Sequence, residues 1–527
     1  MLAAFFTQIL KNSPVAKNDK MGYNKKKSCQ FERFDPMDER YEHQQNFPPV
    51  RRRRKKVPKW KRMLRKYWPP IRFGLIVLAL VALVGWGVGY LVNGIRSAIA
   101  NRPTEPPTIE TTTEPTLSQE EINSLAAQLM KDAEWASLGY DYQGAIEMLE
   151  TFEYFDQFPQ MAQMIKDYEV EDAKLVNWTD MGKVTHIFFH SLIVDPARAF
   201  DGDADQRGYN QYMTTCDEFW KMLEEMYARG YILVSPYDVA YEITSPDGNF
   251  FSWGNIRIPE GRIPFIMSQD DVNYYGYMIG SGSGVDETPI FADTNGDGFA
   301  HRIVIGEDGY PTCEYMDENG NVTTGDYDLV PLLEKFIQEH PDFSYHGARA
   351  ILGMTGYEGV FGYRTKPSYE AALGPARYQQ EVAAAKEVAQ CLREHGWILA
   401  SHSYGHPAYG NIEAENVRVD SDKWENTVQP IIGDCDIILY PHGSDISDAN
   451  PYTFDNAKFA ALYEDGYRYF FNVDSNKYWS QLGANYYRGG RRNLDGYRMW
   501  YNPKRLEDLF NVDDIFDSAR PTPVPKI

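Results

Sequence analysis

The stretch GWILASHSYGHP, Gly396 to Pro407, decides the reading of the fold. Its first half, GWILA, is a short continuous apolar run of the kind that forms a strand buried on both faces. Its second half places His402 and His406 four residues apart. Four-apart histidines on a helix commonly bind metal, but Gly405 interrupts this pair and Pro407 closes it, and a helix interior accepts neither readily. The histidines therefore belong to a loop leaving a strand, either as a metal site or as a turn that holds histidines by accident.

Working outward, the same pattern recurs from about Lys183: VTHIFFHSLI, YILVS, IPFIMSQ, ARAILGMTG, GWILASH, CDIILYPHG and YRYFFNVD. Helical stretches lie between several of these runs, as at 214–229 and 378–395. In the latter Val382, Ala385, Ala389 and Leu392 share one face and Gly396 ends it. Alternating strand and helix with near-continuous apolar strands predicts an α/β fold with a parallel sheet covered on both faces, closed as a (β/α)7-type barrel. In such barrels function gathers at the C-terminal ends of the strands. An insertion at about 280–342 interrupts the alternation with DTNGDGF, Asp293 to Phe299, and DENGN, Asp317 to Asn321. Asp293, Asn295, Asp297 and Gly298 match the start of an EF-hand loop. Val304 stands where the twelfth-position Glu belongs, so a hairpin turn is the expected structure.

Upstream the composition changes. FGLIVLALVALVGWGVGYLV, Phe73 to Val92, is uncharged and long enough to cross a bilayer as one helix. Residues 1–72 hold 20 Lys and Arg against 6 Asp and Glu, in a chain whose net formal charge is −22. By the positive-inside rule this predicts a disordered cytoplasmic segment at 1–72, a transmembrane helix at 73–92 and everything later outside a cell membrane. Residues 93–117, rich in Pro, Thr and Glu, read as a stalk. Ser118 with Glu121 is a capping-box start for a helical spacer at 118–180, and residues 181–520 form the main domain. The acidic remainder argues against nucleic acid as a partner. Of the five cysteines, Cys216, Cys313, Cys391 and Cys435 fall outside and are widely spaced, and their pairing is not legible.

Polar residues collect at the ends of the apolar runs: His190, Asp270 and Asp271, His402 and His406, His442 and Asp445, and Asp474. Adjacent carboxylates after a buried strand are costly unless a positive group sits beside them. Two imidazoles from another strand end supply the natural partner for a divalent metal. Two His and one carboxylate with open positions describe a catalytic site, since structural zinc sites close with four ligands. The second Asp is then free to act as a base on water.

The order of these motifs resembles the polysaccharide deacetylase family, the NodB-homology domains of carbohydrate esterase family 4, over roughly residues 183–505, which implies an irregular (β/α)7-type barrel. SQDDVNYY is similar to the family's TFDDG, which implies Asp270 as catalytic base and Asp271 as metal ligand. HSYGH is similar to its H-(S/T)-x-x-H pattern, which implies His402 and His406 as the other ligands. FNVD stands for the fourth motif, with Asp474 as its acid. The resemblance implies hydrolysis of N-acetyl or O-acetyl groups on an extracellular or cell-wall polysaccharide, using Zn²⁺, or alternatively Co²⁺, Ni²⁺ or Mn²⁺. The third motif departs from R-x-P-x-G, with Leu439 in place of the Arg that orients the base, and no histidine follows His442 to serve as general acid. His190 or His442 would have to replace it, and His190 is preferred. Tyr274, Tyr404 and Tyr440 are expected to stack sugar rings. The alternative is a catalytically inactive deacetylase-like protein that binds glycan or scaffolds wall assembly.

Overall fold

The computed structural model describes residues 117–246, 248–280 and 288–527. Eight parallel strands carry the main domain: β1 Thr185–Phe189, β2 Tyr231–Leu233, β3 Ile263–Gln269, β4 Ile351–Met354, β5 Ile398–Ser401, β6 Ile437–Leu439, β7 Tyr469–Val473 and β8 Tyr487–Asn493. Seven of them close a ring in the order β1, β3, β4, β5, β6, β7, β8 and back to β1. β2 stands outside this ring, paired with the first half of β3 from Tyr231↔Ile263 to Leu233↔Phe265. β1 occupies one edge of β3 over Phe265 to Gln269, so β2 and β4 share the other edge in succession, and the barrel is irregular there.

The two-residue period of a strand decides what faces inward. Phe265 and Met267 of β3 point to the core under the helices, while Ile266 points into the barrel with Ala400, Leu439 and Phe471. By the same alternation His186 lies inside, where its Nε2 is 3.0 Å from Ser268 Oγ. At the N-terminal end a hairpin, Ala240–Ile243 with Phe250–Trp253, closes the barrel, and the Tyr469 hydroxyl donates to the Ala240 carbonyl at 2.9 Å.

Three helices precede the barrel: α1 Gln119–Leu138, α2 Tyr142–Glu150 and α3 Pro159–Asp172. Ser118 and Glu121 form the capping box that their spacing predicts. The module is tied to the barrel by the Arg257–Asp172 ion pair at 2.7 Å and by the His346 amide, which donates to the Gly139 carbonyl at 2.8 Å. Around the ring lie α4 Cys216–Ala228, α5 Leu329–Glu339, α6 Pro375–Glu394, α7 Ala414–Thr427 and α8 Ala457–Glu464.

Between β3 and β4 sits a three-stranded antiparallel sheet, Arg302–Ile305, Pro311–Met316 and Val322–Gly325. DENGN makes its second hairpin turn, with Asp317 Oδ1 accepting from the Asn319 and Asn321 amides. DTNGDGF does not join two paired strands, which corrects the hairpin expectation. It precedes the first strand of that sheet, and the Gly298 carbonyl accepts from the Val194 and Asp195 amides.

The expected localisation at a cell membrane is corrected as well: among the described residues no helix is long and apolar enough to cross a membrane. The expected basic segment, the span at 73–92 and nearly all of the stalk lie outside the described residues. Cys216, Cys313, Cys391 and Cys435 are free thiols.

Candidate metal centre

Asp270 and Asp271 follow the last residue of β3. Asp270 continues the inward series of Ile266 and Ser268, and its amide still bonds to the Phe189 carbonyl at 2.8 Å. An extended chain would send Asp271 to the opposite face. Instead Asp271 adopts a left-handed φ of 59°, and the turn brings both carboxylates to the barrel mouth. His402 follows β5 and His406 lies four residues on. His402 Nε2 is 3.9 Å from Asp271 Oδ2 and 4.0 Å from Asp270 Oδ2, and His406 Nε2 is 3.8 Å from Asp271 Oδ2.

Asp271, His402 and His406 each offer one ligand atom, and these atoms all lie within 4.8 Å of one another. The surroundings orient each donor. His402 Nδ1 is 2.8 Å from the Leu439 carbonyl, which fixes the tautomer that leaves Nε2 as a lone-pair donor. The Tyr275 hydroxyl donates to Asp271 Oδ1 at 2.6 Å, leaving Oδ2 toward the imidazoles. Burial, with the Asp271 carboxylate adding to it, holds the Tyr275 phenol well above its usual range, so it stays a donor. Burial pushes the His406 imidazole down to about 3, so it is neutral and ready to ligate across the ordinary pH range. Two imidazole nitrogens with one carboxylate oxygen suit a zinc-class divalent ion, so the residues present fit the group.

Asp270 is held differently. Arg491 of β8 grips it through both terminal nitrogens, Nη1 to Oδ1 at 2.6 Å and Nη2 to Oδ2 at 2.9 Å, with both side chains buried. Burial alone would raise this carboxyl, but Arg491 and then His402 keep it below the usual carboxylate range. The guanidinium beside Asp270 thus comes from β8 and not from the position of Leu439. Leu439 contributes its carbonyl rather than a side chain. A signal for Arg491 exists in the sequence: YRGGRRN is a strand with three arginines, all buried, and a buried guanidinium requires an anionic partner.

The remaining expected residues divide. His190, one residue past β1, falls on the inward series of His186 and Phe188 and lies within electrostatic reach of Asp270, Asp271 and Asp495. His442 turns with a left-handed φ of 57° and sets its ring 4.4 Å from that of His406. Asp474 is not brought to the set. Its carboxylate accepts from the Asn476 amide at 3.1 Å and side chain at 2.9 Å, and it shares no hydrogen bond or ion pair with the two aspartates or the histidines. The three tyrosines expected to stack sugars are buried. Tyr274 donates to Asp328 at 2.6 Å, Tyr440 pairs with the Tyr452 hydroxyl at 3.1 Å, and the ring of Tyr404 is covered by Lys423 at 3.8 Å. None offers an open face, which corrects that expectation.

No protein-family model matches this chain, and no curated protein matches it. Among solved structures it is similar to the Streptococcus pyogenes deacetylase PplD in complex with acetate. The identity is 12%, over 64% of this chain and 99% of that one, with a TM-score of 0.33.

Proposed function

We propose that this chain is a metal-dependent hydrolase that removes acetyl groups from the amino or hydroxyl groups of a polysaccharide. The observation that carries this reading is the convergence of Asp271, His402 and His406 at one barrel mouth, with Asp270 beside them and Arg491 behind it. Asp271, His402 and His406 would hold the ion, which when bound supplies a Lewis acid and a water of lowered pKa. Asp270 takes a proton from the attacking water at Oδ2, the oxygen that faces His402 Nε2. Arg491 holds that carboxylate ionised and aimed before substrate arrives. Water adds its oxygen to the acetyl carbon, the C–N or C–O bond breaks, and the departing amine or alkoxide needs a proton. His190 gives that proton, because it flanks Asp270 on the neighbouring strand while His442 is packed against a metal ligand. The saccharide class follows from the resemblance of SQDD and HSYGH to the deacetylase motifs.

The test is acetate release by the purified protein, supplied with Zn²⁺ or Co²⁺, across a panel of N-acetylated and O-acetylated polymers. Wild type should release acetate, and His190→Asn should lose about 10²–10⁴-fold, the range expected of a positioned acid or base. Asp270→Asn should lose at least as much. No acetate from any polymer, or an Asp270→Asn variant equal to wild type, would sink the reading.

A further inference from the structure

The loop between the two histidines is an awkward piece of backbone. Ser403 and His406 both stand at left-handed φ, 62° and 58°, and neither is glycine. Such positions persist only where the surroundings over-determine them. One carboxylate meets the intervening chain: the Tyr404 amide donates to Asp420 Oδ2 at 2.7 Å and the Gly405 amide to Asp420 Oδ1 at 2.9 Å. The Tyr409 hydroxyl adds a third bond at 3.0 Å. A Cβ at Gly405 would lie 3.1 Å from Asp420 Oδ1, so the glycine that interrupts the histidine pair is also what lets the carboxylate come this close.

Asp420 is delivered by α7, and α7 is anchored to the barrel independently of the loop. The Trp424 indole donates to the Met354 carbonyl at the end of β4, at 2.9 Å, and Ser421 Oγ donates to Asp465 at 2.7 Å. Lys423, one turn on from Asp420, lies over the Tyr404 ring. The helix thus grips the loop at two amides and one aromatic face while its other side is fixed elsewhere.

We infer that Asp420 is a positioning residue for the metal centre: by clamping the amides of Tyr404 and Gly405 it sets His406 against His402 and Asp271. This rests on the proposed metal-dependent reading. Partners one step removed from a metal typically change affinity 10–100-fold when removed. In Asp420→Asn the side chain has one acceptor oxygen, and its NH₂ faces the other amide, so one clamp bond is lost without loss of volume.

Cobalt titration of the purified protein, followed by its visible absorption, reads affinity and coordination together, and a thermal melt of the metal-free protein is run beside it. Asp420→Asn should bind Co²⁺ about tenfold more weakly with a changed spectrum, and Asp420→Ala more weakly still. Ser421→Ala removes a comparable hydrogen bond from the same helix and should lower the melting temperature while leaving the cobalt spectrum and affinity as in wild type. Should Asp420→Ala fail to fold, Asp420→Asn alone decides. Cobalt affinity within twofold of wild type in a folded Asp420 variant overturns the inference and leaves the metal reading standing. A wild-type protein that binds no cobalt overturns the metal reading, and the inference with it.

Discussion

Asp270 and Asp271 are chemically identical neighbours set apart by what surrounds them. Asp271 meets two imidazole nitrogens and a phenol, while Asp270 is gripped by one guanidinium. The depressed carboxyl of Asp270 gives a stabilising contribution that is present above the unfolded carboxylate range and is lost as pH falls through its lower folded value. Arg491→Met reverses the sign. With the Arg491 guanidinium gone, only the weaker pull of His402 and His190 opposes burial, the Asp270 carboxyl rises, and the acid limb of the rate profile moves to higher pH. Removing one partner of a buried pair should also cost about 3–5 kcal/mol. Denaturant melts and a pH–rate profile check both effects, and an acid limb that stays in place would contradict the role given to Arg491.

At the scale of elements, the site depends on turns that let one strand end lie on the next. Gly443, in the turn after β6, has a φ of 62°, and a Cβ there would stand 2.4 Å from Val473 Cβ and 2.6 Å from the Val473 nitrogen on β7. Gly443→Ala must either displace that turn or bend β7. Overpacking together with left-handed strain should cost about 2–4 kcal/mol. Because His442 is the adjacent residue, the same variant should shift its ring from His406. A denaturant midpoint measures the first effect and the histidine ring resonances the second; an unchanged midpoint would show that the close approach is not needed.

Across the whole molecule, distant segments meet under electrostatic tension. Asp297 of the insertion accepts from the Tyr209 hydroxyl at 2.7 Å. Burial, then the nearby Asp203, Asp205 and Asp201, push its carboxyl up to about 6 against that hydrogen bond. A raised carboxyl makes its favourable contribution below the unfolded carboxylate range and loses it as pH rises through about 6. Cooling the charge by moving from pH 7 to pH 5 should therefore raise the melting temperature of wild type relative to Asp297→Asn, which lacks the titration. Parallel melts of the two proteins at both pH values measure this, and equal shifts would count against it.

The sequence by itself made seven of the eight parallel strands legible, β8 with its buried arginines excepted, and it paired the candidate ligands. Short apolar runs must be buried on both faces, and SQDD and HSYGH each keep their members within a few residues, so the chemistry is local and legible. Only the tertiary structure decided which residues share the barrel interior. Arg491 reaches Asp270 across 221 residues because the ring closes β8 onto β1 and β1 onto β3. Closure likewise buries Tyr274, Tyr404 and Tyr440, while the loop after β7 turns the Asp474 carboxylate onto Asn476. The physical reason is the range of the forces. A strand's period is set by its own backbone, whereas the partner of a buried charge is whatever the closed barrel places opposite it.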